Sequence, residues 1–273
     1  MGPQKAKVRE PAVAGQFYPG TREALEASIR EMTDVTQARR AAIGVMVPHA
    51  GYMYSGTVAG SVFGSVELPC CFIVIGPNHT GVGPAASIMT SGAWRTPCGE
   101  IPVDDALAGA ILENSEFLQE DDSAHAFEHS IEVQLPFLQC LREDVRFVPI
   151  SLMTASPSIC HDVGHAVAVA VRYSANPVLL IASSDMTHYE SQEQAKRKDE
   201  LALGRLLELD GDGLLQTVAE NHISMCGVSP AATMIYACHE LGATEAELVR
   251  YRTSGDMTGD YRQVVGYAGV IIR

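Results

Sequence analysis

Five short segments of this chain carry side chains that could do chemistry. Val47-Pro48-His49-Ala50-Gly51-Tyr52 and Ile75-Gly76-Pro77-Asn78-His79-Thr80-Gly81 each follow an apolar run and place a histidine beside proline and glycine. Val178-Leu-Leu-Ile-Ala-Ser183-Ser184-Asp185-Met186-Thr187-His188 repeats the arrangement with an aspartate and a third histidine. Neutral imidazole is the commonest metal ligand, so His49 and His79 could supply two positions around one ion, while His188 could move protons near neutral pH. The competing reading of any one of them is a loop imidazole bonded to neighbouring backbone. Glu128-His129-Ser130-Ile131-Glu132 and Met225-Cys226-Gly227-Val228-Ser229-Pro230 each join titratable groups to an expected helix start. Glu128 and His129 could line a pocket or simply face a helix N-terminus. Cys226 could be a thiolate favoured by nearby amides or an inert buried thiol.

Other combinations are weaker. Ser183 and Ser184 near Asp185 and His188 suggest a hydrolase, but no G-x-S-x-G elbow is present. No G-x-G-x-x-G follows a strand and no phosphate-binding P-loop sequence occurs, which disfavours nucleotide-dependent chemistry. His161 and His165 share a helix face without the glutamate of a zinc protease and read as a solvated or capping pair. His125, His222 and His239 have no supporting partners. Cys70 and Cys71 read as edge and core of a buried strand.

Strands must position these groups. Ile43 to Val47, Cys71 to Ile75, Val145 to Ile150, Val178 to Ala182, Leu248 to Arg252 and Val264 to Ile272 are short apolar runs of the kind that forms buried strands. A helix capped by Thr21 is expected to carry Leu25, Ile29 and Met32 at helical spacing, and further helices are expected at 55–65, 104–114, 128–141, 161–173, 192–208 and 229–241, with Pro136 kinking or shortening helix 128–141. Alternation of this kind indicates an α/β fold, a single domain over residues 1–273 with a largely parallel or mixed central sheet flanked by helices. In such sheets ligands bind beyond the carboxyl ends of the strands, where His49, His79 and the Asp185–His188 segment all fall.

The chain has 273 residues, 19 Lys+Arg against 33 Asp+Glu and a formal net charge of −14, which excludes a nucleic-acid binder working through a basic face. No apolar stretch approaches the ~18 to 20 residues of a bilayer span. No apolar signal follows the N-terminal charges, and Ala6 stands where a myristoylation motif needs Ser or Thr, so a cytoplasmic protein is expected. Seven cysteines without regular spacing form no disulfide framework and read mostly as reduced, buried thiols.

Taken in order, Arg9-Glu10-Pro11-Ala12-Val13-Ala14-Gly15-Gln16-Phe17-Tyr18-Pro19, Pro48-His49-Ala50-Gly51-Tyr52, Gly76-Pro77-Asn78-His79, Glu128-His129-Ser130-Ile131-Glu132, Ser183-Ser184-Asp185-Met186-Thr187-His188 and Cys226-Gly227 resemble the Memo family across nearly the whole chain. In bacteria and archaea such proteins look like component B of the AmmeMemoRadiSam grouping. The resemblance implies a radical-SAM enzyme and an AMMECR-type domain as partners, and a fold similar to the class III extradiol dioxygenases, which open catechol rings with non-haem iron. It also implies His49, His79 and Cys226 as metal ligands, with Asp185 and His188 lining the same pocket. A thiolate replaces the carboxylate of the ring-cleaving enzymes, which makes the site softer and compatible with Fe(II), Zn or Cu.

The leading expectation is therefore an iron-dependent oxidoreductase acting on a small, phenolic substrate. In it His188 moves protons, Asp185 orients that imidazole or a metal ligand, and Glu128 or His129 completes the pocket. The alternatives are a zinc hydrolase with the same ligands and a non-catalytic component that binds a peptide or docks the radical-SAM partner.

Overall fold

The computed structural model describes residues 7–33 and 38–273; the N-terminal residues through Ala6, read above for targeting signals, lie outside that range. Its main sheet is nine-stranded and mixed. In spatial order the strands are His188–Glu190, Val264–Ile272, Gly44–Val47, Val178–Ser183, Cys71–Pro77, Arg146–Leu152, Ala86–Ile88 and Gln119–Glu120, with Ala246–Thr253 pairing antiparallel to Val264–Ile272. The four consecutive strands from Gly44–Val47 to Arg146–Leu152 are mutually parallel, and antiparallel pairings flank them on both sides. Every residue of Cys71–Pro77 is buried, as expected for an unbroken apolar run inside a parallel sheet covered on two faces.

Register shows what covers each face. Ile272 pairs with Gly44 and Val270 with Met46, so Gly44 shares a face with them while Gly269 points to the other. A Cβ on Gly44 would meet Cys238 and Met234, whereas one on Gly269 would meet Val58 and Val62. Helix Val228–Glu240 thus lies against one face and helix Tyr52–Ser65 against the other. Helices Asp105–Glu113, Pro157–Arg172, Gln192–Leu207 and Gly211–Glu220 join the first layer, and helices Arg22–Met32 and Leu135–Leu141 the second. One hydrophobic core, running from Tyr18 to Ile272, unites these elements.

All six expected strands are present within a few residues of their expected bounds. The expected helix 128–141 is corrected. Residues 132–134 form a single 3-10 turn, and the α-helix starts only at Leu135, with Pro136 in its first turn, where a missing N–H costs nothing. Thr21 occupies the N-cap position but makes no capping hydrogen bond. Helix Gly211–Glu220 went unread because its Asp- and Gly-rich start resembles a loop; its signal was Asp210, whose carboxylate accepts from Gly213 N at 2.8 Å. The short strands Val8–Arg9, Ala93–Thr96 and Gly99–Pro102 form a separate small sheet without an apolar run to announce it.

His125 sits beneath this small sheet. Its imidazole is fully buried, lies edge-on to Trp94 at 5.8 Å, and has no hydrogen-bond partner for either nitrogen among the described residues. Burial first, and then the Arg9 charge, lowers its pKa from 6.5 to about 4. The unfolded chain therefore binds the proton more readily. The ring's contribution to stability is intact above pH ~6.5 and is lost as pH falls toward ~4, by about 3 kcal/mol in total. Denaturant titrations should show this slope in the wild type and a flatter one in His125→Phe. Parallel pH profiles would count against the ring as its source.

Candidate metal centre

Three neighbouring parallel strands build the site. Gly44–Val47, Val178–Ser183 and Cys71–Pro77 lie side by side, and their carboxyl ends deliver His49, Asp185 and His79 to one edge of the sheet. The segment 128–131, leading into helix Leu135–Leu141, brings His129 over that edge. One ligand atom from each of His49, His79 and His129 lies within 4.8 Å of the other two. The His79 and His129 rings stack at 4.8 Å, and His49 stands edge-on to both.

Hydrogen bonding fixes the ring tautomers. Ser183 Oγ donates to Ser130 O at 2.6 Å and accepts from Gln134 Nε2 at 2.9 Å. Its remaining lone pair faces His49 Nδ1 at 3.0 Å, so Nδ1 is the donor and Nε2 carries the free lone pair. His79 Nδ1 donates to Glu128 Oε1 at 2.9 Å, and His129 Nδ1 lies 3.5 Å from the same oxygen. Nδ1 of His188 donates to the Ser224 carbonyl at 2.9 Å. In His49, His79 and His188 the protein bonds Nδ1, leaving Nε2 as the basic nitrogen, and His79 with Glu128 forms the carboxylate–histidine pair that orients metal ligands.

Electrostatics follows from burial. His49, only 2 % exposed, is driven well below its ordinary pKa by desolvation and then by His129 and His79, so it is neutral. Desolvation likewise lowers His129. For Glu128, burial raises the pKa, but the bonds and charge of His79 and the backbone N–H groups of Ser130 and His79 outweigh it and hold the carboxyl down to about 2. Burial alone would lower His79; Glu128 reverses this and raises it.

Cys226 stands just before Gly227, the N-cap of helix Val228–Glu240, and its Sγ lies 3.2 Å from His49 Nε2 while accepting from Asp185 N at 3.3 Å. Cys226 could thus join His49 on an ion, but the cluster whose ligand atoms all lie within 4.8 Å of one another is His49, His79 and His129, so the structure sets His129, rather than the expected Cys226, beside the two expected histidines. Burial, and then the Asp185 charge, pushes the thiol pKa up, a shift that a bound cation opposes.

The remaining expected residues fall around this cluster. Asp185 Oδ1 accepts from His49 N at 2.8 Å and Ala50 N at 3.3 Å, so it fixes the backbone of His49, while His188 is oriented by Ser224 instead. Burial pushes the Asp185 carboxyl up to about 6. His188, Tyr54, Tyr189 and Tyr267 line a cavity of about 490 Å³ that also exposes the three clustered imidazoles. Exposed His161 and His165 pair with separate carboxylates, Asp212 at 3.1 Å and Glu240 at 2.9 Å.

Residues 9–271 match the sequence profile of the Memo-like protein family. The chain belongs to that family. This Memo-like chain is 42 % identical over 279 residues to a MEMO1 family protein of Methanopyrus kandleri, covering 97 % of this chain and 99 % of the relative. It is 41 % identical over 274 residues to a MEMO1 family protein of Methanothermobacter thermautotrophicus, covering 96 % and 99 %. In fold it is similar to the crystal structure of an uncharacterized protein of Escherichia coli K12, with a TM-score of 0.55 and 14 % identity, covering 84 % of this chain and 98 % of that one. Among the described residues of the Memo-like chain, no helix is long and apolar enough to cross a membrane.

Sequence reasoning missed Ser183 and Gln134 as supports of the His49 ring and Phe17 as the residue packed on His129 at 4.8 Å. Serine and glutamine carry no spacing signature, and Phe17 reaches the site from 112 residues away. Gly227 also has a steric role. A Cβ there would meet Ser183 O and Ser184 Cβ at 2.4 Å each, and neither can move without disturbing the strand end. Gly227→Ala in this Memo-like protein is expected to cost about 1 to 3 kcal/mol through overpacking. Chemical denaturation reads it, and unchanged stability would show that the loop yields freely.

Proposed function

We propose that this Memo-like protein is a metal-dependent oxidoreductase acting on a small phenolic substrate. The carrying observation is the donor set: three clustered imidazoles, two of them with Nδ1 bonded to a protein acceptor, and a sulfur 3.2 Å from His49 Nε2. His49, His79, His129 and Cys226 would hold the ion. Imidazole and thiolate suit Fe(II), Cu and Zn, and iron is the favoured reading because the cavity beside the donors is lined by Tyr54, Tyr189 and Tyr267, against which a phenolic ring could pack. Bound there, iron supplies redox chemistry and Lewis acidity toward a phenol oxygen.

The protein's own groups do the rest. Tyr54, Tyr189 and Tyr267 offer ring faces and edges to a planar substrate. His188, with its proton fixed on Nδ1 by Ser224 O, presents Nε2 as the base that takes the phenolic proton and later returns it. Ser183 and Glu128 hold the imidazoles in place.

Oxygen uptake with catechols, using protein prepared without oxygen and loaded with iron, tests this reading. Turnover above that of an equal amount of free iron is expected, falling by about 10²-fold or more in His188→Gln with metal content unchanged. Stoichiometric zinc with no activity gained on iron loading would instead favour the hydrolase alternative.

A further inference from the structure

Away from this centre, two cysteines meet across the boundary between the small sheet and the helical layer. Cys98 lies in the turn joining strands Ala93–Thr96 and Gly99–Pro102, and Cys140 in the last turn of helix Leu135–Leu141. Their Sγ atoms are 3.8 Å apart, and both residues are partly exposed. The two elements are pinned together beside them. Thr96 donates its hydroxyl to Gln139 Oε1, Gln139 Nε2 donates to Gly99 O at 3.2 Å, and Arg22 bonds to Cys98 O. The contact is therefore a fixed feature of the packing, and it holds the two sulfurs 3.8 Å apart, against ~2.05 Å in a disulfide.

Both sulfurs face open space that a small disulfide can enter. Cys98 opens on a cavity of about 690 Å³ lined by Arg142 and Arg146 and also by Glu100, Glu143 and Asp144, and Cys140 opens on a second of about 430 Å³ lined by Arg30, Arg142, Glu26 and Glu143. Either sulfur can donate to the other, and the Arg22 charge favours a thiolate at Cys98 while Glu26 opposes it.

We propose that Cys98 and Cys140 are a reversible dithiol–disulfide site oxidised by a low-molecular-weight disulfide. Cys98 Sγ⁻ attacks one sulfur of the oxidant, forming a mixed disulfide and releasing one thiolate, which takes up a proton. Cys140 then loses its proton and attacks Cys98 Sγ, forming the internal S–S bond and expelling the second thiol. The protein gives up two electrons and two protons, and the oxidant becomes two thiols. The bond closes a long loop, Cys98 to Cys140, that contains the segment carrying Glu128, His129 and Glu132. It therefore stabilises chiefly by restricting the unfolded chain.

The test equilibrates the reduced full-length protein with graded ratios of oxidised to reduced glutathione, alkylates it under denaturing conditions and maps the peptides. Cys98 and Cys140 should lose alkylation together and appear as one cross-linked peptide pair, reversibly with dithiothreitol. The oxidised protein should melt about 5 to 10 °C higher than the reduced one. In Cys140→Ser the reaction should stop with glutathione on Cys98. The proposal is overturned if both wild-type thiols stay alkylated at the most oxidising ratio, or if glutathione remains on them without a cross-link.

Discussion

Alanine at His49 or His79 is expected to reduce bound metal to background in protein purified without oxygen, as read by elemental analysis beside the wild type. Each replacement removes one of three clustered nitrogens whose position the sheet already fixes. His129→Ala and Cys226→Ala should each lower occupancy, because the first removes the third imidazole and the second the sulfur beside His49. Glu128→Gln is a subtler test. The carboxylate engages Nδ1 of His79 and lies 3.5 Å from that of His129, and a neutral amide there should weaken metal binding about 10- to 100-fold with the first-contact ligands intact. Circular dichroism on each variant separates loss of donors from loss of fold. Metal content unchanged by both His49→Ala and His79→Ala would remove the centre from this molecule.

The second large effect concerns stability. Glu132 is fully buried, and its carboxylate accepts from the Arg9 guanidinium, Ala12 N at 2.8 Å, Val13 N at 3.1 Å and Tyr18 OH at 2.5 Å. Arg9 in turn donates to His125 O at 3.0 Å and Glu128 O at 2.7 Å. One ion pair thus ties the N-terminal segment to the segment that carries Glu128 and His129, and it sets Phe17 on the His129 ring. Glu132→Ala leaves Arg9 buried without its partner and three donors unsatisfied, so a loss of about 3 to 5 kcal/mol is expected. For a chain of this size that corresponds to a fall in Tm of about 10 °C. A urea midpoint shifted by less than the equivalent of ~1 kcal/mol would show that water or a rearranged Arg9 replaces the carboxylate.

Much of the architecture was legible because burial on both faces forces the parallel strands to be nearly all apolar, a signal local to each run. Cys71–Pro77 and Val264–Ile272 are examples, and the histidine just past Gly44–Val47 needed only the rule that such sheets act at their carboxyl ends. The segment 128–134 was less readable. Its apolar spacing resembles a helix, but Glu128 and Glu132 are drawn into bonds with His79 and with the N-terminal segment, which fix an irregular backbone before Leu135. Local propensity yields there to contacts from 49 and 120 residues away.

The amino-acid order alone determined the α/β class, the family likeness and two of the three clustered imidazoles, His49 and His79, because strand hydrophobicity and motif composition are written in neighbouring residues. Tertiary structure decided which groups meet. It brought His129 into the imidazole cluster, turned Glu128 and Ser183 into the acceptors that hold the rings, and gave Asp185 to the backbone of His49. Those choices depend on strand order and on where distant loops cross the sheet edge. Distances of a few ångströms between residues far apart in the chain arise only when the whole core closes.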